Sequence, residues 1–165
     1  MATTFKKVRS ALVTATITQA SLANSAGRVS TQIDLQDGNS QLPEEILVEW
    51  FFTNGTSPTS GNATELHQVW GDDEGTAHID GGLAATDTGY TTGPPTASTI
   101  RSLGIEQLLA FVSGGTTGEA FKGSILVPVR ARYWSGYVYN GSGVTANSTA
   151  GNFWLRVTPI YHSTT

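Results

Sequence analysis

Along most of this chain apolar and polar residues alternate with a period of two, the pattern of β-strands that bury one face. Val13, Ala15 and Ile17 oppose Thr14, Thr16 and Thr18, and Val29, Thr31, Ile33 and Leu35 oppose Ser30, Gln32 and Asp34. Between Glu45 and Phe52, the residues Ile46, Val48, Trp50 and Phe52 share one face; Leu66, Gln68 and Trp70 alternate with Glu65, His67 and Val69. Later runs are Phe121, Gly123, Ile125 and Val127; Val129, Ala131 and Tyr133; Tyr137 to Tyr139; and Phe153, Leu155 and Val157 against Trp154, Arg156 and Thr158. β-Branched and aromatic residues fill these segments, and both suit a pleated, half-buried surface.

Breaker clusters separate the runs: Asp37-Gly38-Asn39-Ser40, Asn54-Gly55, Ser60-Gly61-Asn62, Gly81-Gly82, Gly93-Pro94-Pro95, Gly114-Gly115 and Asn140-Gly141. Asn-Gly and Gly-Gly supply the positive φ of tight hairpin turns. About eight short strands at this spacing predict an all-β fold, an antiparallel β-sandwich of jelly-roll type. It forms one domain over residues 1–165 with a short basic N-terminal arm at residues 1–9. Ile105, Leu108, Leu109 and Val112 fit helical spacing, but Ile105, Gln107, Leu109 and Phe111 fit a strand, which is the preferred reading. Thr86 to Thr99 reads as a long exposed loop.

Composition narrows the function. Charged residues are only 13% of the 165, and Gly (19) with abundant Ser and Thr takes up the difference. A coiled coil is excluded, and 9% aromatics argue against a coreless, disordered chain. With no cysteine, disulfides, thiolate metal sites and cysteine nucleophiles are all excluded, which favours the cytoplasm or a particle assembled there. Ala11 to Ala23 is interrupted by Thr14, Thr16, Thr18 and Gln19, so neither a signal peptide nor a membrane span is expected.

Charge is segregated along the chain. Residues 1–33 carry +4, residues 34–87 carry −11 without one Lys or Arg, and residues 88–165 carry +3. Such blocks either build opposite-signed patches that steer copies or partners together, or mix on the surface of an interleaved sandwich. No basic stripe exists and the isoelectric point is about 5.2, so nucleic acid is not an expected partner.

No catalytic or cofactor signature stands out. Gly71-Asp72-Asp73-Glu74-Gly75, with Asp80, has the acids of a calcium loop but not the EF-hand spacing, and reads better as a solvated turn. His67 and His78 across a hairpin would give zinc two ligands, and no third is evident; His162 lies near the C-terminus. No Ser occupies a Gly-x-Ser-x-Gly elbow, the glycine pairs lack a P-loop Lys, and Glu44-Glu45 point to opposite faces of a strand. No catalytic residue, metal or cofactor is therefore assigned. Asn54, Asn62, Asn140 and Asn147 begin Asn-x-Ser/Thr triplets, which carry no weight without a secretion signal.

Two residue sets remain as candidate surfaces. Lys6, Lys7, Arg9 and Arg28 are candidate contacts to acidic surface on a neighbouring subunit. Tyr133, Trp134, Tyr137 and Tyr139 crowd one segment. They form either a core strand with a subunit interface, the preferred reading, or an exposed platform for stacking on sugar rings.

The order of these segments resembles that of small virion proteins of tailed bacteriophages. The resemblance lies in Phe5-Lys6-Lys7-Val8-Arg9 and Ala11 to Ile17, followed by Ser21-Leu22-Ala23 and the Arg28 strand; it returns at Ile125-Leu126-Val127-Pro128, at Tyr137-Val138-Tyr139-Asn140-Gly141-Ser142-Gly143 and in a closing strand from Phe153 to Tyr161. It covers the first third and the last quarter of the chain, while 54–99 departs from it. What it implies is a non-enzymatic capsid decoration or cement protein, or a neck protein, working as a symmetric homo-oligomer with a trimer favoured. Its partners would be the major capsid or neck proteins of the same virion, assembled in bacterial cytoplasm, with no membrane involved. The alternative from another class is a carbohydrate-binding or host-adhesion module; an unsuspected hydrolase ranks third.

Overall fold

The computed structural model describes residues 5–72, 82–90 and 105–164. The Asp73-Glu74 portion of the acidic turn, His78, and the 91–99 part of the expected loop lie outside them. Among the described residues there are eleven strands: β1 (Phe5–Arg9), β2 (Val13–Ala15), β3 (Gly27–Val29), β4 (Ile33–Asp34), β5 (Glu45–Thr53), β6 (Ala63–Gly71), β7 (Thr88–Tyr90), β8 (Gln107–Val112), β9 (Ala120–Pro128), β10 (Tyr133–Asn140) and β11 (Trp154–Thr164). Ala150–Asn152 forms one 3₁₀ turn. Among the described residues no helix is long and apolar enough to cross a membrane.

The strands form two antiparallel sheets, making an all-β sandwich. Sheet A runs β1-β11-β5-β9, with β2 also on β11; sheet B runs β7-β3-β10-β6-β8, with β4 also on β10. The long-range pairing is nested: β1 and β2 with β11, β3 and β4 with β10, β5 with β9, and β6 with β8. Each partner strand lies in the same sheet while most connections cross to the other one, so the early and late parts of the chain are interleaved.

The alternation read from the sequence sets which faces meet. Ile46, Val48, Trp50, Phe52, Leu155 and Val157 of sheet A are fully buried against Leu66, Trp70, Trp134 and Val138 of sheet B. Trp50 donates its indole N–H to Gln19 Oε1 at 3.1 Å, which brings a buried amide into the core with a partner. The 105–112 ambiguity resolves as strand β8, paired to β6 with an irregularity at Leu66/His67.

Five expectations change. The run from Val129 to Tyr133 is no strand before Tyr133, where β10 begins, and the expected loop from Thr86 holds β7 at Thr88–Tyr90. Residues 5–9 are not a free arm: they are edge strand β1, in register with β11 from Phe5↔Thr164 to Arg9↔Ile160. The expected strand from Val29 to Leu35 is broken into β3 and β4. Its middle leaves the sheet because Thr31 N–H bonds Thr16 O at 2.8 Å and Gln32 N–H bonds Ala85 O at 2.9 Å. Asn54-Gly55 is not a tight hairpin but part of an arch between sheets. Gly55 is required there by close approach, since a Cβ would lie 2.0 Å from Thr145 O.

Candidate functional site

The sandwich folds its charge blocks onto one another. Lys7 pairs with Glu45 at 2.6 Å, Arg28 with Asp87 at 2.5 Å and Arg132 with Asp34 at 2.6 Å, each joining a basic flank to the acidic middle. Arg28 is therefore not a free contact residue. Its Nε donates to Asp87, which also accepts from Thr18 Oγ1 at 2.6 Å. Burial pushes the Asp87 carboxyl up, yet the Arg28 and Thr18 hydrogen bonds outweigh it and hold it below the usual carboxylate range. The Arg132 hydrogen bond does the same for Asp34, against a smaller effect of burial. Lys6 and Arg9 are exposed on β1, without a carboxylate partner among the described residues.

The aromatic segment is internal. Trp134 lies in the core at 0% exposure, so it forms no platform. Tyr133 and Tyr137 are buried on the opposite, outer face of sheet B, and Tyr139 is half-buried there. That face is covered by the chain itself: Leu83, Ile105 and Tyr137 pack with Val29 and Val69, and Ala84, Ala85 and Tyr90 join them. Trp134 and Tyr137, both fully buried, therefore present no ring to solvent for stacking on sugars.

Beneath this cover lies His67, which the sequence offered only as a zinc ligand together with His78 and which here pairs with Glu65. His67 Nε2 and Glu65 Oε2 are hydrogen-bonded at 2.9 Å, and both side chains are buried. The His67 ring meets Tyr137 edge-on at 6.2 Å, and Tyr90 approaches Tyr137 at the same distance. Among the described residues no group of three His, Asp or Glu is placed to hold a metal ion. Burial, helped by Tyr139 and Tyr90, pushes the Tyr137 phenol far above its ordinary value.

These shifts predict the pH profile. A raised Tyr137 contributes stability that is whole below about pH 10 and is lost as pH rises beyond it. Lowered Asp34 and Asp87 contribute stability present above about pH 4 and lost as pH falls through their folded values. Urea midpoints measured across pH are expected to decline on both limbs. Tyr137→Phe should flatten the alkaline limb and Asp87→Asn the acid one; unchanged slopes in both variants would refute the assignment.

Sheet A presents a different outer face, where Phe51 stacks on Trp154 at 5.7 Å between centroids. The guanidinium of Arg156 lies 4.4 Å and the ammonium of Lys122 5.7 Å from the Trp154 ring. Leu126 is 48% exposed on the same side. Trp and Arg side by side on an outer face, with Phe beneath, are the residue types enriched at interface centres. Sequence reasoning missed this group because its members come from three strands, and only pairing β11 with β5 and β5 with β9 assembles it.

At one end of the sandwich four connections, 16–26, 54–62, 113–119 and 141–153, are joined by backbone hydrogen bonds. Ser21 N–H bonds Asn147 O, Thr59 N–H bonds Ser142 O, Gly61 N–H bonds Ser113 O and Gly118 N–H bonds Gly55 O. Asn140 is fully buried at their centre, donating to Leu22 O and Val144 O and accepting from Ser142. Ser21, Ser25 and Ser57 are held at φ of 58°, 60° and 54°, a left-handed conformation unusual without glycine. The loops enclose a hollow of about 390 Å³ lined by Ser21, Thr56, Thr117, Thr145, Asn147 and Ser148 among others, and Glu119 is the one charged residue in all four.

Compared with protein-family models and with curated proteins, the chain matches none of either.

Proposed function

We propose that this chain is a structural protein of a tailed-bacteriophage virion, a capsid decoration or cement protein that stabilises the particle through contacts rather than catalysis. The nested strand pairing carries the reading. Taking β1 and β2 as one strand, β3 and β4 as another, and β7 as an added edge, the eight strands run 1-8-3-6 in sheet A and 2-7-4-5 in sheet B. This order supports the jelly-roll reading of the sandwich, and jelly rolls build many viral capsid domains as well as lectins. Fold alone does not give function; the resemblance of the first third and last quarter to virion proteins points the same way. The Trp154, Phe51, Arg156 and Lys122 face and the rigid, nearly uncharged loop end are preformed surfaces for neighbours, which on this reading are major capsid or neck proteins and other copies in a homo-oligomer, a trimer by preference.

The test is to delete the coding sequence from a phage that carries it and compare purified particles. The expected result is that wild-type virions contain the chain at a copy number matching the capsid lattice, and that particles lacking it release DNA at lower temperature. Absence of the chain from washed virions refutes the reading.

The hydroxyl-lined hollow favours a second reading, a carbohydrate-binding or host-adhesion module. Neutral hydroxyl and amide groups suit a neutral, polyhydroxylated ligand, and the volume is within the range of small-molecule sites. Retention on a polysaccharide column that is lost on Thr145→Arg would favour it over the cement role.

A further inference from the structure

We infer that the open edge of sheet A, strands β1 and β2, receives an extended acidic segment of a partner as an added strand; on the virion reading, on which this inference rests, that segment belongs to a neighbouring protein of the particle. Strand β1 ends the order of sheet A, and β2 continues the same edge along β11. Residues 6–14 are nine consecutive exposed residues, an uninterrupted length not matched elsewhere among the described residues. Among the described residues no strand pairs with the outer side of β1 or β2, and a row of backbone N–H and C=O groups without a neighbouring strand is a template for strand addition.

Side chains along the edge say what can pair. Lys6, Lys7 and Arg9 are cationic, and only Lys7 has a carboxylate partner, Glu45. Val8, Leu12 and Val13 are 42%, 49% and 37% exposed, so apolar positions interrupt the cations. A second copy adding edge to edge would bring two Lys6-Lys7-Arg9 sets together, and like charges across paired strands are destabilising. An acidic strand with alternating apolar residues sets its carboxylates beside Lys7 and Arg9, which share one face of β1, and an apolar residue beside Val8 on the other. Main-chain hydrogen bonds would supply affinity, and the cations would supply choice of partner.

The probe is the peptide Glu-Val-Glu-Thr-Glu-Val-Glu, titrated into the full chain by fluorescence anisotropy, with the Lys-for-Glu peptide and an alternately N-methylated acidic peptide as controls. The acidic peptide should bind at least about tenfold more tightly than either control, and about tenfold more weakly when salt is raised to about 1 M. Lys6→Glu with Arg9→Glu, both exposed, should reduce binding by at least about tenfold with the melting curve unchanged. Equal binding of the N-methylated peptide reduces the contact to simple charge attraction and overturns strand addition. No binding of the acidic peptide leaves the cations as guards of an unused edge, and overturns it as well. The virion reading is tested separately: peptide binding by a chain absent from particles refutes that reading alone, and a particle protein that ignores the peptide refutes this inference alone.

Discussion

Trp134→Ala is expected to destabilise the fold by about 3–5 kcal/mol, the range for deleting a large buried aromatic. Its ring is fully buried in the main core, where it lies between the sheets with Trp50, Leu66, Val138 and Leu155. The loss combines the transfer free energy of the indole with the cavity left behind, because neighbours on two hydrogen-bonded sheets relax only partly. At about 2–4 °C per kcal/mol for a chain of this size, the melting temperature should fall by on the order of 10 °C. Trp134→Phe should cost much less. It keeps an aromatic ring and removes an indole N–H that is buried without a hydrogen-bond partner. Chemical denaturation of the two variants checks this, and a Trp134→Ala protein within about 1 kcal/mol of wild type would overturn the placement of this residue. Any effect of Trp134→Ala on ligand or particle binding is then expected to follow loss of fold.

The second large effect is expected at His67. Removing one partner of a buried hydrogen bond leaves the other polar group short of an interaction and costs about 1–3 kcal/mol. His67→Ala takes from Glu65 the hydrogen bond that His67 makes to it on the buried outer face of sheet B. The double variant Glu65→Leu with His67→Leu removes both polar groups and should lose less than His67→Ala alone, since apolar replacement of a buried pair is often neutral. The measurement is a double-mutant cycle in urea. Additive losses would show that the pair is not coupled, and the cover over sheet B would then need another explanation.

The long strands were legible because each alternates over enough residues to declare a face. Ile46, Val48, Trp50 and Phe52, and Leu155 with Val157, needed no tertiary information to be named as core. Short strands were less legible. β1 carries Lys6, Lys7 and Arg9, so its composition reads as a solvated arm, and only hydrogen bonding to β11 makes it a strand. Tyr133, Tyr137 and Tyr139 alternate correctly, but alternation cannot tell a solvent face from one covered by a later segment. The 82–90 cover is poor in pattern, and its role depends on where β7 attaches to β3. Asn54 and Asn140 carry turn signals, yet both are fully buried and serve the arches at the loop end.

Sequence by itself therefore determined the strand-rich class, the inward faces of the long strands and the absence of thiol chemistry. Those properties are local, set by side-chain period and residue type. Tertiary structure decided which strands are edges, which outer face is covered, which charges are spent within the chain and which serines and threonines share a hollow. Each of these depends on pairing between residues far apart in the chain, β1 with β11 and β5 with β9 among them. Strand periodicity records which way a side chain points, but not what lies opposite it.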